Sequence, residues 1–152
     1  MIHRRLFLRS AAALAVLPAM PAIAAMPAMI VTKSPTCGCC TAWDDLARQA
    51  GYAVETVDIE DVAPLKTRLG VPEALWGCHT VEVEGYVVEG HVPFPAVARL
   101  LRERPEIVGI AAPGMPMGSP GMGWDPAARY DVIAFGGTAA EGEVYFRAGT
   151  GG

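Results

Sequence analysis

Three cysteines fall within four residues, in Cys37-Gly38-Cys39-Cys40, and a fourth stands at Cys78 beside His79. Whatever the chain folds into must find a use for that crowding. An even cysteine count first suggests two structural disulfides. The pattern fits them poorly, because adjacent Cys39 and Cys40 cannot pair without strain and a staple across a long loop does not need three thiols in four residues. A second reading is dithiol exchange, since Cys37 and Cys40 have C-x-x-C spacing and lie between an expected strand and an expected helix. There, unpaired N–H groups and the helix dipole favour a thiolate. Against it, Cys39 offers a third sulfur that would compete in every exchange. A third reading is a metal site of soft ligands, which could suit zinc, an iron–sulfur centre or copper(I).

The methionines bear on the choice of metal. Met115, Met117 and Met122 lie in the segment from Gly114 to Met122, which is dense in glycine and proline. Thioethers bind copper(I) well and are of little use to zinc, so this loop favours copper; packing against the core is the alternative for each. His79, adjoining Cys78, and His91, in Glu89-Gly90-His91-Val92-Pro93, are further candidate ligands. Glu82, Glu84 and Glu89 are expected on solvated strand faces, and Trp43 and Trp76 in the core.

Residues 1–24 read as a secretory signal peptide. Arg4, Arg5 and Arg9 precede an apolar run that is broken by Pro18 and Pro21 and too short to span a bilayer, and Ala22-Ile23-Ala24 has the small-x-small cleavage pattern. Arg4-Arg5-Leu6-Phe7-Leu8-Arg9 also resembles the twin-arginine pattern of proteins exported already folded; an ordinary signal with adjacent arginines is the alternative. Cleavage leaves nine basic residues against sixteen acidic ones, a balance of −7 that argues against nucleic-acid binding. Residues 25–152 are expected to form one periplasmic domain with no membrane span.

Within that domain, Ala28 to Thr32 reads as a strand, and Trp43, Leu46, Ala47 and Ala50 have helical spacing with Gly51 following. Ala53 to Ile59 has strand composition. Pro64 to Leu69 reads as a short helix, Val81 to Val88 as a hairpin turning at Gly85, and Phe94 to Leu101 as a helix. The order β-α-β-α-β-β-α implies a mixed α/β sheet of thioredoxin-like type, in which Cys78 and His79 would face the cysteine loop. Residues 107–123 are expected to be a Gly/Pro/Met-rich loop, and 124–152 a C-terminal extension with a β-hairpin, Tyr130 to Phe135 against Glu143 to Phe146. Nothing offers a P-loop, a G-x-S-x-G elbow or an H-E-x-x-H helix.

Four motifs together, Pro35-Thr36-Cys37-Gly38-Cys39-Cys40, Cys78-His79-Thr80, Gly85 to Pro93, and Pro113 to Met122, resemble the CopG-type copper-resistance family, from about Ile30 to Met122. The resemblance implies an exported, thioredoxin-like protein of copper tolerance that binds several copper ions through cysteine thiolates and interconverts copper redox states. Its metal residues would be Cys37, Cys39, Cys40 and Cys78, with His79, His91, Met115, Met117 and Met122 as nearby candidates. Its partners would be metal ions and other periplasmic copper-handling proteins. Gly123 departs from the pattern, where an acidic residue is expected. The alternatives are a thiol-disulfide oxidoreductase using Cys37 and Cys40, and an iron–sulfur protein.

Overall fold

The computed structural model describes residues 26–149, so the expected signal peptide lies outside the described residues. The elements run β1 (Ala28–Lys33), α1 (Gly38–Gln49), β2 (Ala53–Asp58), α2 (Ala63–Arg68), a 3-10 turn (Glu73–Leu75), β3 (His79–Val83), β4 (Tyr86–Gly90), α3 (Phe94–Glu103), β5 (Gly109–Ala112), β6 (Tyr130–Phe135) and β7 (Val144–Ala148). They build one mixed sheet of order β2-β1-β3-β4-β5-β6-β7.

The pairing follows from the connections. β1 and β2 run parallel because α1 crosses between them, and β4 and β5 run parallel because α3 does. β3 and β4 pair antiparallel through the two-residue turn Glu84-Gly85, both with positive φ, the geometry that matches the twist of a tight hairpin. β6 and β7 form the expected terminal antiparallel pair.

Alternating strand residues feed two cores. Trp43 and Ala47 of α1 and Val97 and Leu100 of α3 pack on Val31, Val81, Val88 and Ile110. On the other face, Leu69, Leu75 and Trp76, from the stretch around the 3-10 turn, cover Val71, Val87, Ala111 and Phe135. Trp43 is fully buried, whereas Trp76 is only partly covered.

Two expectations are corrected. Residues 107–123 are not loop throughout, because Gly109–Ala112 is β5, buried on both faces between β4 and β6. A central strand covered on both sides shows no apolar–polar alternation, and Gly-Ile-Ala-Ala carries little strand propensity. Glu89 is not on a solvated face either; it is fully buried against Lys66 of α2.

Candidate metal centre

Strand register gathers the cysteines, the histidines and the start of the Met-rich loop at one end of the sheet, while the Gly85 turn lies at the other. Lys33 at the end of β1 is opposite His79 at the start of β3, and Thr80 is opposite Glu89 near the end of β4. Gly90 is opposite Ala112 at the end of β5. The chain therefore leaves this end into the cysteine loop, into His91 and into the Met-rich loop, and enters it through Cys78.

Helix α1 begins at Gly38, earlier than the apolar spacing from Trp43 indicates. Cys37 is its N-cap, with no side-chain cap bond, and Cys39 and Cys40 occupy the first turn, so three sulfurs sit where backbone N–H groups favour negative charge. Cys37 and Cys40 are joined as a disulfide with Cα atoms 5.4 Å apart, while Cys39 and Cys78 are free. Cys39 Sγ lies 3.6 Å from Cys37 Sγ and 3.7 Å from Cys78 Sγ. The four sulfurs form one group with all ligand atoms within 4.8 Å of one another.

Cys78, His79 and His91 form a second such group. Continuing the β3–β4 register places Cys78 opposite His91, and the Cys78 Sγ to His91 Nε2 distance is 2.9 Å. His91 Nδ1 lies 2.6 Å from the Pro120 carbonyl oxygen. A carbonyl can only accept, so Nδ1 carries the hydrogen and the Nε2 lone pair faces the thiol. Metal-ligating histidines are commonly oriented in this way. His79 Nδ1 stands 3.6 Å from Cys78 Sγ, and its ring lies between Trp43, at 5.0 Å, and His91, at 4.9 Å. Its Nε2 is buried without a hydrogen-bond partner.

Burial controls the protonation of this cluster. It pushes the Cys78 thiol up to about 12, helped by the neighbouring Cys39, so a metal arriving there must displace a proton. Burial also holds His79 well below the usual imidazole range, reinforced by His91, Lys66 and Lys33, and it lowers His91 against the opposing hydrogen bond to Pro120. Both rings are therefore neutral at pH 7, as ligands must be.

The Met-rich loop closes over the cluster through its backbone. Gly121 has φ +84°, and a Cβ there would lie 2.6 Å from the Cys39 carbonyl oxygen and 3.0 Å from the Trp43 nitrogen. Only glycine fits so close an approach. Met122, which follows it, is half-buried, whereas Met115 and Met117 are 41% and 60% exposed. Sequence spacing gave no sign of the Pro120 and Gly121 roles, which depend on where the loop lands.

A family described as "Protein of unknown function, DUF411" matches residues 75–122, the stretch that holds Cys78, His79, His91 and the Met-rich loop. Two solved structures titled "Copper resistance protein copG" are each 38% identical to the chain. Form 1 has a TM-score of 0.71 over 79% of this chain and 95% of that one; form 2 has 0.72 over 80% and 98%. The chain belongs to the CopG copper-resistance family. No curated protein matches it. The CopG resemblance carried by the four motifs is thus borne out, and so is the mixed α/β fold. Among the described residues, no helix is long and apolar enough to cross a membrane.

Proposed function

We propose that the chain is an exported, periplasmic copper-binding protein of copper tolerance that holds more than one copper(I) ion. With the Cys37–Cys40 disulfide reduced, Cys37, Cys39, Cys40 and Cys78 act as thiolate ligands, and His79 and His91 complete the site. The observation that carries this reading is that Cys78 belongs to both ligand groups. A thiolate shared between a four-sulfur group and a Cys-His-His group bridges metal ions, and thiolate with imidazole suits copper(I). The Nε2 of His91, turned toward the Cys78 sulfur by the hydrogen bond from Nδ1 to Pro120, and the His79 Nδ1 that stands 3.6 Å from the same sulfur are further support. The titles of the two related structures name copper resistance. Met122 directly follows Gly121, whose backbone lies against Cys39, and Met115 and Met117 are exposed; their thioethers take up copper(I) before it moves inward or passes to other periplasmic copper-handling proteins.

The Cys37–Cys40 disulfide favours a second reading, thiol-disulfide exchange. It also supplies a redox partner for copper. Closing the two thiols to that disulfide releases two electrons and two protons; two copper(II) ions take one electron each to become copper(I), and the protons pass to water. Cys39→Ser separates the readings, because it keeps Cys37 and Cys40 and removes the sulfur that lies near both Cys37 and Cys78. We expect unchanged dithiol exchange and at least one copper fewer per chain, read by elemental analysis after anaerobic loading. A full copper complement in Cys39→Ser would remove Cys39 from the cluster, and wild-type protein that takes up no copper but retains dithiol exchange would favour the oxidoreductase.

A further inference from the structure

On the α2 side of the sheet, beside the ligand cluster, lies a buried ion pair that the copper reading does not use. The Lys66 and Glu89 side chains are 2% and 0% exposed and in direct contact, and Lys66 Nζ also donates to Thr80 Oγ1 at 2.8 Å. Such a pair is a poor source of stability, since both ions lose their hydration and apolar residues of similar volume commonly serve as well or better. Its presence calls for another use.

The hydrogen bonds show what the carboxylate holds. Glu89 Oε1 accepts the backbone N–H of Gly77 at 2.7 Å, and Oε2 accepts the Thr80 hydroxyl at 2.7 Å. Gly77 and Thr80 flank Cys78 and His79 on either side. Gly77 lies before β3 begins, where the chain passes so close to β4 that a Cβ on it would stand 2.6 Å from Gly90 Cα. The carboxylate therefore fixes both ends of the dipeptide that carries the shared sulfur. A lone carboxylate would add negative charge beside gathering thiolates, and the Lys66 ammonium cancels it.

We propose that Glu89, anchored by Lys66, is the positioning residue of this centre: by gripping Gly77 and Thr80 it sets the Cys78 sulfur against His91 and Cys39. The inference rests on the copper reading for what that sulfur does, and its test also has a readout that needs no metal.

Lys66→Met/Glu89→Leu removes both charges and keeps the volume, so the fold survives. In reduced, metal-free protein we expect a melting temperature near that of the wild type and several-fold faster alkylation of Cys78 relative to Cys39, by peptide mass spectrometry with iodoacetamide. Copper(I) affinity, by competition with a chromophoric chelator, falls about 10- to 100-fold, the range found when a partner behind a ligand is lost. Lys66→Met/Glu89→Gln, equally neutral but keeping an accepting oxygen for Gly77, restores most of both properties. Were the leucine variant to unfold, Thr80→Val would stand in, with a smaller shift in the same direction. Wild-type alkylation ratio and affinity in a folded leucine variant, or in Thr80→Val, would overturn the inference. Wild-type protein that takes up no copper(I) would refute the copper reading instead, and the alkylation ratio alone would then decide the role of Glu89.

Discussion

Cys78→Ser should cost the protein more copper than any other single cysteine replacement. Cys37, Cys39 and Cys40 each belong to one group of candidate ligands, whereas Cys78 belongs to that group and to the one with His79 and His91. A hydroxyl in its place is a hard and poor ligand for copper(I), and it leaves the lone pair of His91, now 2.9 Å from the sulfur, without a soft neighbour. We expect the copper content to fall by at least half and the affinity of what remains to drop at least ~100-fold, about 2.7 kcal/mol. Because Cys78 is not fully buried, the fold should survive the change. Copper titration of anaerobically reduced variants, with all four Cys→Ser proteins side by side, reads the effect. Equal losses at all four positions would mean that the two groups do not share an ion-bridging sulfur.

Trp43→Ala should be the most damaging change to stability near the centre. The indole is fully buried in the larger core, its Nε1 donates to the Val92 carbonyl at 3.1 Å, and its ring packs on His79 and, at 5.1 Å, on Phe94. Truncation leaves a cavity that the helix and sheet cannot close and a buried carbonyl without its donor. The expected loss is about 4 kcal/mol, a large part of a typical domain's stability, with a fall in melting temperature of roughly 10–20 °C. The wall of the His79 ring opens with it, so copper affinity should fall in whatever fraction remains folded. Denaturant unfolding of metal-free protein checks the first part, and a loss under about 1 kcal/mol would show that the core repacks around the gap.

Much of the centre was legible because the chemistry-bearing residues are clustered in sequence. Cys37, Cys39 and Cys40 share one turn, Cys78 adjoins His79, and His91 follows a recognisable hairpin, although its place opposite Cys78 comes from the register of the two-residue turn. The start of α1 was less legible. Gly38 and the two cysteines are weak helix formers, and Cys37 makes no side-chain cap, so the apolar spacing announces the helix only from Trp43. Strand β5 escaped because Gly109–Ala112 is short and covered on both faces, which erases the alternation that marks a half-buried strand. Glu89 misled for the same reason in reverse. In Tyr86-Val87-Val88-Glu89 a charged residue reads as the wet face, and only the position of α2 across the sheet, with Lys66 reaching Glu89 and Thr80, makes it dry. Contacts made by distant segments leave no periodic trace in the sequence.

The central claim is a multi-copper site built on all four thiols. Its most direct test is elemental analysis with free-thiol counting on anaerobically reduced protein loaded with copper(I). The account expects more than one copper per chain, with Cys37, Cys39, Cys40 and Cys78 protected from alkylation until the metal is removed. One copper or fewer, with thiols that alkylate freely in the loaded protein, would contradict it and leave the Cys37–Cys40 disulfide as the working chemistry of the chain.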